Sequence, residues 1–506
     1  MHVARLLLIT ATAFMVTGCA VGPRYSRPGA DVPGTFKETP PDWKQVQPSD
    51  EIQRGKWWEI FKDEQLNALE EQVNVSNQNL KAAQAQFMQA RSLVRFNRAD
   101  YYPTVTAGLS ATETRVSSNR PVANVAAKTR YSDFILPVDV SYEADVWGRI
   151  RKSVEAASEE AQASAADVES VSLSLHAELA VDYFEARSFD AEEQLLNSNV
   201  IAFEQALELT QNRYQGGVAS GVDVAQAQTQ LETTRAQAID VQAQRALSEH
   251  AIAVLIGKPS SSFSLPTVPL ATSPPSIPPG LPSKLLERRP DIAASERRMA
   301  AANARIGIAR AAYFPTVDLN ASGGFESTSI TTLLSGPSGF LAAGISATVT
   351  AFDAGRRRAL NEQARAAYYQ TVANYRETVL QSFQEVEDNL ATLRILEDEA
   401  QKQQAAIDAA ERSLQLSTNR YKGGVVTYLE VLTAQSTALS NERIAVDISR
   451  RRMAASVLLV KALGGGWNAA NLPTNFLSSG SKQGVPSAPM AERAKRTEDH
   501  STSGTE

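Results

Sequence analysis

Along most of this chain the apolar positions recur in steps of three and four, but in four short stretches they recur in steps of two. Val105, Ala107, Leu109 and Ala111 interleave with Thr104, Thr106, Gly108, Ser110 and Thr112, and Leu136, Val138, Val140 and Tyr142 with Pro137, Asp139, Ser141 and Glu143. Later, Val317, Leu319 and Ala321 alternate with Asp318, Asn320 and Ser322, and Ile345, Ala347 and Val349 with Ser346, Thr348 and Thr350. Each stretch predicts a strand with one apolar and one polar face. A half-buried sheet of a soluble domain shows that pattern, and so does a membrane barrel with lipid outside and water inside. Aromatic residues gather at the strand ends, Tyr101, Tyr102, Trp147, Tyr313, Phe314 and Phe352 on one side and Phe134 and Phe340 on the other, where interfacial girdles of a barrel belong. Membrane barrels start at about eight strands, so four strands require other copies of the chain to pair their edges.

The three-and-four periodicity predicts long helices. Leu196, Val200, Phe203, Leu207, Thr210 and Tyr214 form one seam and Ile407, Ala410, Leu414, Ser417 and Tyr421 a second, each ending at a Gly-Gly turn. A helix over 151–213 would be roughly 95 Å long at about 1.5 Å per residue, far more than a bilayer's thickness. Return helices over 219–256 and 426–463 bring the chain part of the way back, and helices over 64–99 and 283–311 complete the distance by stacking end to end with them. A coiled-coil stalk without a lumen would show the same seams.

The chain is also written twice. Arg213-Tyr214-Gln215-Gly216-Gly217-Val218 recurs as Arg420-Tyr421-Lys422-Gly423-Gly424-Val425, and Arg98-Ala99-Asp100-Tyr101-Tyr102-Pro103-Thr104-Val105 as Arg310-Ala311-Ala312-Tyr313-Phe314-Pro315-Thr316-Val317. Between the halves stands a linker with prolines from Pro259 to Pro290 that should run extended. The expected organisation is a leader over 1–18, an N-terminal segment over 19–63, a first repeat over 64–257, the linker over 258–282, a second repeat over 283–464, and a C-terminal segment over 465–506. From about 478 the sequence is polar and low in apolar residues, which predicts disorder.

Composition narrows the chemistry. With 1 Cys, 4 His and a net charge of -6, the chain has the makings of neither a metalloenzyme nor a disulfide scaffold, and no basic face for nucleic acid. The one cysteine is well placed: His2 and Arg5 head the chain, Leu6 to Val16 are apolar, and Val16-Thr17-Gly18-Cys19 reads as a lipobox. Acylation of Cys19, with diacylglycerol and a further acyl chain, is the only covalent group expected; no cofactor or metal is. Ala20 after it resembles lipoproteins sorted to the outer membrane. No later run approaches the roughly 18 apolar residues of a membrane-spanning helix, so any crossing must be by a closed barrel.

Taken together, Cys19-Ala20-Val21-Gly22-Pro23, Trp57-Trp58, the two Tyr/Phe-Pro strand entries, Arg289-Pro290-Asp291-Ile292 and both Arg-Tyr-x-Gly-Gly turns resemble the outer membrane factor family, the TolC-like and OprM-like exit ducts of tripartite efflux pumps and type I secretion systems, in its NodT-type lipoprotein branch. The resemblance implies an α+β membrane protein: a trimer with a 12-stranded β-barrel, four strands per chain, continued by a long α-helical barrel with an equatorial collar. It also implies docking to a periplasmic adaptor and an inner-membrane transporter of the RND type, with outer-membrane lipid around the barrel. In the family the periplasmic ends of the coiled coils close a constriction. The matching residues here are Thr427, Tyr428, Leu429, Glu430 and Thr433, with Asp223 as the first-half counterpart of Glu430. Thr433 stands where TolC-like members carry a second carboxylate, which weakens the case for a cation-binding ring. Arg213 and Arg420 are candidate salt-bridge partners for closure between neighbouring hairpins. Gly216, Gly217, Gly423 and Gly424 form the tips that would meet the adaptor.

Two other functions compete with the exit duct. A non-conducting lipoprotein that braces the envelope would not need water-facing Thr, Ser, Asp and Glu on its strands. An envelope enzyme would need more than His176 and nearby Glu178, which lie in a helical run without a nucleophile, metal partner or phosphate loop. The cargo leaves no mark on the chain.

Overall fold

The computed structural model describes residues 21–38, 55–117, 130–270, 273–277 and 282–473. Cys19, the leader and the polar tail lie outside them. Eight helices and five strands follow in the order α1 (Glu64–Ser76), α2 (Gln78–Ala99), β1 (Thr104–Ala107), β2 (Ser110–Arg115), β3 (Arg130–Ala144), α3 (Arg149–Gln215), α4 (Gly221–Leu255), α5 (Pro282–Arg288), α6 (Pro290–Ala311), β4 (Thr316–Ser327), β5 (Gly339–Thr348), α7 (Arg356–Lys422) and α8 (Tyr428–Ala462).

The strands form one antiparallel sheet in which β1 and β2 both pair with β3, β3 with β4 and β4 with β5. A single register runs through β1 and β2, since Ala107 faces Val138 and Ser110 faces Ile135. They are one strand interrupted opposite Pro137, which has no N–H to give to the ladder. The four stretches of alternation are thus four strands, although the last ends at Thr348, short of Val349.

α3 and α7 each run for 67 residues, about 100 Å at 1.5 Å per residue. Neither contains Gly or Pro, so nothing within them breaks the ladder. Each starts at a sharp corner: Gly148 and Gly355 take φ of 80° and 90°, while the Asp145 carboxylate accepts from the N–H of Ile150 and Arg151 and the Asp353 carboxylate from those of Gly355 and Arg357. The first seam buries Leu196 and Phe203 against Leu231, Ala238 and Val241 of α4 and Leu439 of α8, and buries Thr210 as well, but it stops before Tyr214, which is exposed. The second buries Ile407, Ala410 and Tyr421.

The helices expected over 64–99 and 283–311 are both broken, at Asn77 and at Arg289, and for the same reason. Asn77 caps α2 and donates its amide to the carbonyl of Leu255 at 2.8 Å; Arg289 donates to the carbonyl of Ala462 at 3.1 Å. Those carbonyls close α4 and α8, so α2 stacks on the end of α4 and α6 on the end of α8. The next turn in each is a glycine with positive φ, Gly257 at 69° and Gly464 at 92°, and a Cβ there would lie 2.5 Å from the Ser76 carbonyl oxygen or 2.2 Å from that of Arg288. Only glycine permits both the conformation and the approach.

Around these joints lies the main core, with Trp57, Trp58, Phe61, Tyr183, Phe184, Tyr375 and Leu459 among its members. The Pro-rich linker holds its place by hydrogen bonds to long helices: Leu270 N–H donates to the Arg187 carbonyl at 3.0 Å and Val268 N–H to Asp190 at 2.9 Å. An N-terminal strap, residues 21–38, descends beside α6 and α7. Along it, Val21 N–H donates to the Trp147 carbonyl, Tyr25 to Glu296, Arg27 to the Tyr375 hydroxyl, and the N–H groups of Lys37 and Glu38 to the Glu387 carboxylate.

Candidate functional site

In-register partners of an antiparallel sheet point to the same side, so the pairing fixes two faces. One carries Val105, Leu109, Leu136, Val138, Val140, Tyr142, Val317, Leu319, Phe325, Leu341 and Ile345; the other carries Thr104, Thr106, Asp139, Ser141, Glu143, Asp318, Asn320, Ser322, Ser346 and Thr348. Among the described residues no helix packs extensively on either face. Leu341 and Ile345 are 84% and 73% exposed, an apolar wall left open by the described residues. β3, with 15 residues, and β4, with 12, exceed the roughly 9–11 that a tilted strand needs to cross a bilayer. At the helix end, Trp147 stacks on Phe314 with ring centroids 4.7 Å apart and donates to the Pro315 carbonyl, and Tyr102 and Phe352 stand exposed. Phe340 departs from the expected girdle: its register with Gly324 puts it on the polar face.

Among the described residues the sheet has two unpaired edges, β1 with β2 on one side and β5 on the other, and the helices repeat this arrangement. Beneath the sheet α2, α3, α6 and α7 pack side by side in that order, and lower down α4, α3, α8 and α7. The terminal helices of these rows expose apolar side chains, Leu93 and Phe96 on α2, Ile239, Leu247 and Val254 on α4, and Leu380, Ile395 and Leu416 on α7. At every level the chain is an open row of elements, with α7 and β5 at one end.

At the far end of the hairpins the structure sorts the expected constriction residues. Gly217 and Gly424 take φ of 75° and 73° in the turns that follow Gly216 and Gly423. Tyr428 does not face outward: only 1% exposed, it packs edge-on against Tyr421 at 5.6 Å with Ala227 and Val431, and is one of the residues joining the two hairpins. Burial pushes its hydroxyl up to about 12. Asp223 is committed to a capping box with Ser220, and Thr433 donates to the Leu429 carbonyl. Leu429 and Glu430 remain exposed. Arg420 meets Glu430 at 3.5 Å within its own hairpin. Arg213 meets no carboxylate among the described residues: it lies over the Tyr421 ring at 4.6 Å and donates to the Lys422 carbonyl at 3.2 Å, linking the first hairpin to the second. The i-to-i+3 and i+4 pattern marks Tyr421 and Tyr428 as interfacial without saying which neighbour each meets, and nothing in it signals a cation over the Tyr421 ring.

His176 is an interhelical residue whose partner is Glu70, not Glu178. Its Nδ1 lies 2.6 Å from Glu70 and its Nε2 3.1 Å from Asn74, with the ring stacked on Trp58 at 4.4 Å. Burial raises the Glu70 carboxyl well above its usual 4.5 and lowers the His176 imidazole to about 4, so in the folded chain the pair holds one proton and no net charge. The unfolded pair also holds one proton between the ordinary values, 4.5 and 6.5, but none above 6.5. There the folded state binds the extra proton for as long as the raised Glu70 carboxyl keeps it, and stability falls as pH rises, by at most about 1.4 kcal/mol per unit. Glu70→Gln keeps a donor for Nδ1 and removes that proton. Thermal unfolding from pH 7 to 9 should show a falling midpoint for the parent and a flatter one for Glu70→Gln; parallel profiles would mean that Glu70 is ionised when folded. No group of three or more His, Cys, Asp or Glu among the described residues could hold a metal.

The outer membrane efflux protein family model matches residues 69–258 and 281–465. The toluene efflux pump outer membrane protein TtgC of Pseudomonas putida is 31% identical over 91% of this chain and 96% of its own length. The cation efflux system protein CusC of Escherichia coli O6:H1 is 29% identical over 91% and 98%. Among solved structures, the outer-membrane channel OprN matches with a TM-score of 0.81 and 28% identity, covering 89% of this chain and 100% of its own. An apolar strand wall, long hairpins with glycine tips and a twofold repeat matched on both halves make this chain a member of the outer membrane efflux protein family, an efflux channel of the outer membrane.

Proposed function

We propose that three copies close head to tail into a 12-stranded barrel continued by a helical tunnel, and that the tube passively conducts solutes delivered by a periplasmic adaptor and an inner-membrane transporter. The observation that carries this is the open row: at each level one open edge, β5 or α7, is left to meet the opposite edge of another copy, β1 with β2, α2 or α4. Edges that differ in this way join heterologously, and heterologous contacts close as rings. Two copies would give eight strands, a bore that side chains fill; three leave an aqueous lumen lined by the polar face. TtgC and CusC, named for an aromatic hydrocarbon and for cations, are similar to this chain to nearly the same degree. That favours selection upstream of the wall. A type I protein-secretion duct would use the same geometry, and no feature of the described residues favours it.

An acylated Cys19 fits this placement. Val21, two positions after Cys19 in sequence, is held at the corner between sheet and helices by the Trp147 carbonyl, and an acyl anchor adds to the hold of a lipid-facing wall. Mass spectrometry of the mature N-terminus should find a lipid-modified cysteine; an unmodified or uncleaved terminus would remove the anchor from the proposal.

The resting closure is assigned to Leu429 with Glu430. The Arg420–Glu430 pair is half exposed and contributes about 0–1 kcal/mol, so the apolar side chain carries more of the seal. In planar bilayers the purified protein should show low resting conductance, raised strongly by Leu429→Ser, modestly by Glu430→Ala and most by the double variant. Absence of any conductance would sink the channel reading, and unchanged resting conductance in all three variants would place the constriction elsewhere.

A further inference from the structure

A water-facing wall should carry polar groups at every row, and one row of this wall carries none. Pro137 is opposite Gly324, and Gly324 is opposite Phe340. On the other side of Pro137, the register that pairs Ala107 with Val138 and Ser110 with Ile135 brings Gly108 opposite it, with the Gly108 N–H donating to the Pro137 carbonyl at 3.1 Å. The row Gly108, Pro137, Gly324, Phe340 therefore crosses the whole sheet on its polar side. Toward the outside Ile135 adds a further apolar side chain, whereas the row toward the helices holds Thr106, Asp139 and Ser322. Neither lipid nor core accounts for it: it is on the face away from Leu341 and Ile345, and among the described residues no helix packs extensively over it. Gly324 cannot be filled, because a Cβ there would lie 2.0 Å from the Leu136 carbonyl oxygen. The close approach of β3 thus keeps this position of the row without a side chain between Pro137 and Phe340.

We propose that this row forms an apolar girdle in the outer half of the lumen that makes brief contact with amphiphilic organic cations as they leave. The proposal rests on the closed barrel described above, in which each copy repeats the row around the bore. Aromatic and apolar surface recognises the organic part of such a solute. The same face carries Asp133, Asp139, Asp318 and Glu326, along with Glu143 held by Arg149, and its strands place no Lys or Arg there, so the surrounding field favours positive charge. A duct needs contacts strong enough to admit a solute and weak enough to release it, and a single aromatic row meets that need.

The test is block of single-channel current by tetraphenylphosphonium and by tetraethylammonium, each added from the extracellular side. Tetraphenylphosphonium should block at lower concentration; Phe340→Ser should weaken its block about tenfold and Phe340→Leu less, with tetraethylammonium block unchanged in both. Equal block of parent and Phe340→Ser by tetraphenylphosphonium would overturn the girdle, as would an equal loss of block by both cations. If Phe340→Ser fails to assemble, Ile135→Ser serves, with a smaller loss in the same direction expected. A parent chain without conductance would overturn the channel reading instead.

Discussion

Gly464→Ala and Gly257→Ala should each prevent accumulation of folded protein, while Gly217→Ala leaves it nearly intact. All three glycines have positive φ, so each alanine carries the same backbone cost of about 1 kcal/mol. They differ in the space around them: a Cβ at 464 or 257 would meet a backbone carbonyl at 2.2 or 2.5 Å, and one at 217 meets nothing within 4 Å. A carbonyl that ends a helix cannot move without breaking the joint beside it, which for Gly464 includes the Arg289 bond to Ala462 and its ion pairs with Asp291 and Glu385. The total cost should exceed about 3 kcal/mol, in the range reserved for strain at special backbone positions. Membrane yield and thermal unfolding of the three variants decide it. Wild-type yield of Gly464→Ala would mean that α5 and α8 are not locked together at this point.

Of this arrangement the sequence shows the repeat but not the joint. Strands were legible because alternation of period two appears wherever one face is apolar, and the seams because Leu196, Phe203 and Ile407 repeat at helical spacing. The breaks at Asn77 and Arg289 were not, because the carbonyls that hold them come from residues 178 and 173 positions away. Periodicity records how a helix packs along its own length and is silent about distant caps. At the hairpin tips the same limit applies. The repeat aligns Tyr421 with Tyr214, yet the first is buried and the second is 54% exposed, because Tyr428 packs against Tyr421 and its counterpart in the first half is Gly221.

Val140→Arg should abolish assembly in the outer membrane, and Ser141→Arg, one residue on, should permit it. Val140 is opposite Val105 and Ala321 on the apolar face, while Ser141 is opposite Thr104 and Asn320 on the polar one. An arginine facing lipid near mid-strand costs about 2–4 kcal/mol per copy, and in the proposed ring every copy bears it at once; the same side chain in the lumen stays hydrated. Heat-resistant oligomer in outer-membrane fractions is the readout. Equal tolerance of both substitutions would mean that neither face meets lipid.

The N-terminal strap has a consequence for the order of assembly. Beyond Val21, which pairs with Trp147, its partners lie in the second half of the chain: Tyr25 waits for Glu296, 271 residues on, and Lys37 for Glu387, 350 residues on. Contacts across such separations form late, after the local hairpins, because the intervening chain must first be organised. Beyond Val21 the strap therefore docks only once the second half is in place. If Cys19 is acylated as the chain emerges, the molecule is tethered at its first residue throughout folding, and seating of the strap marks a subunit ready to meet its neighbours.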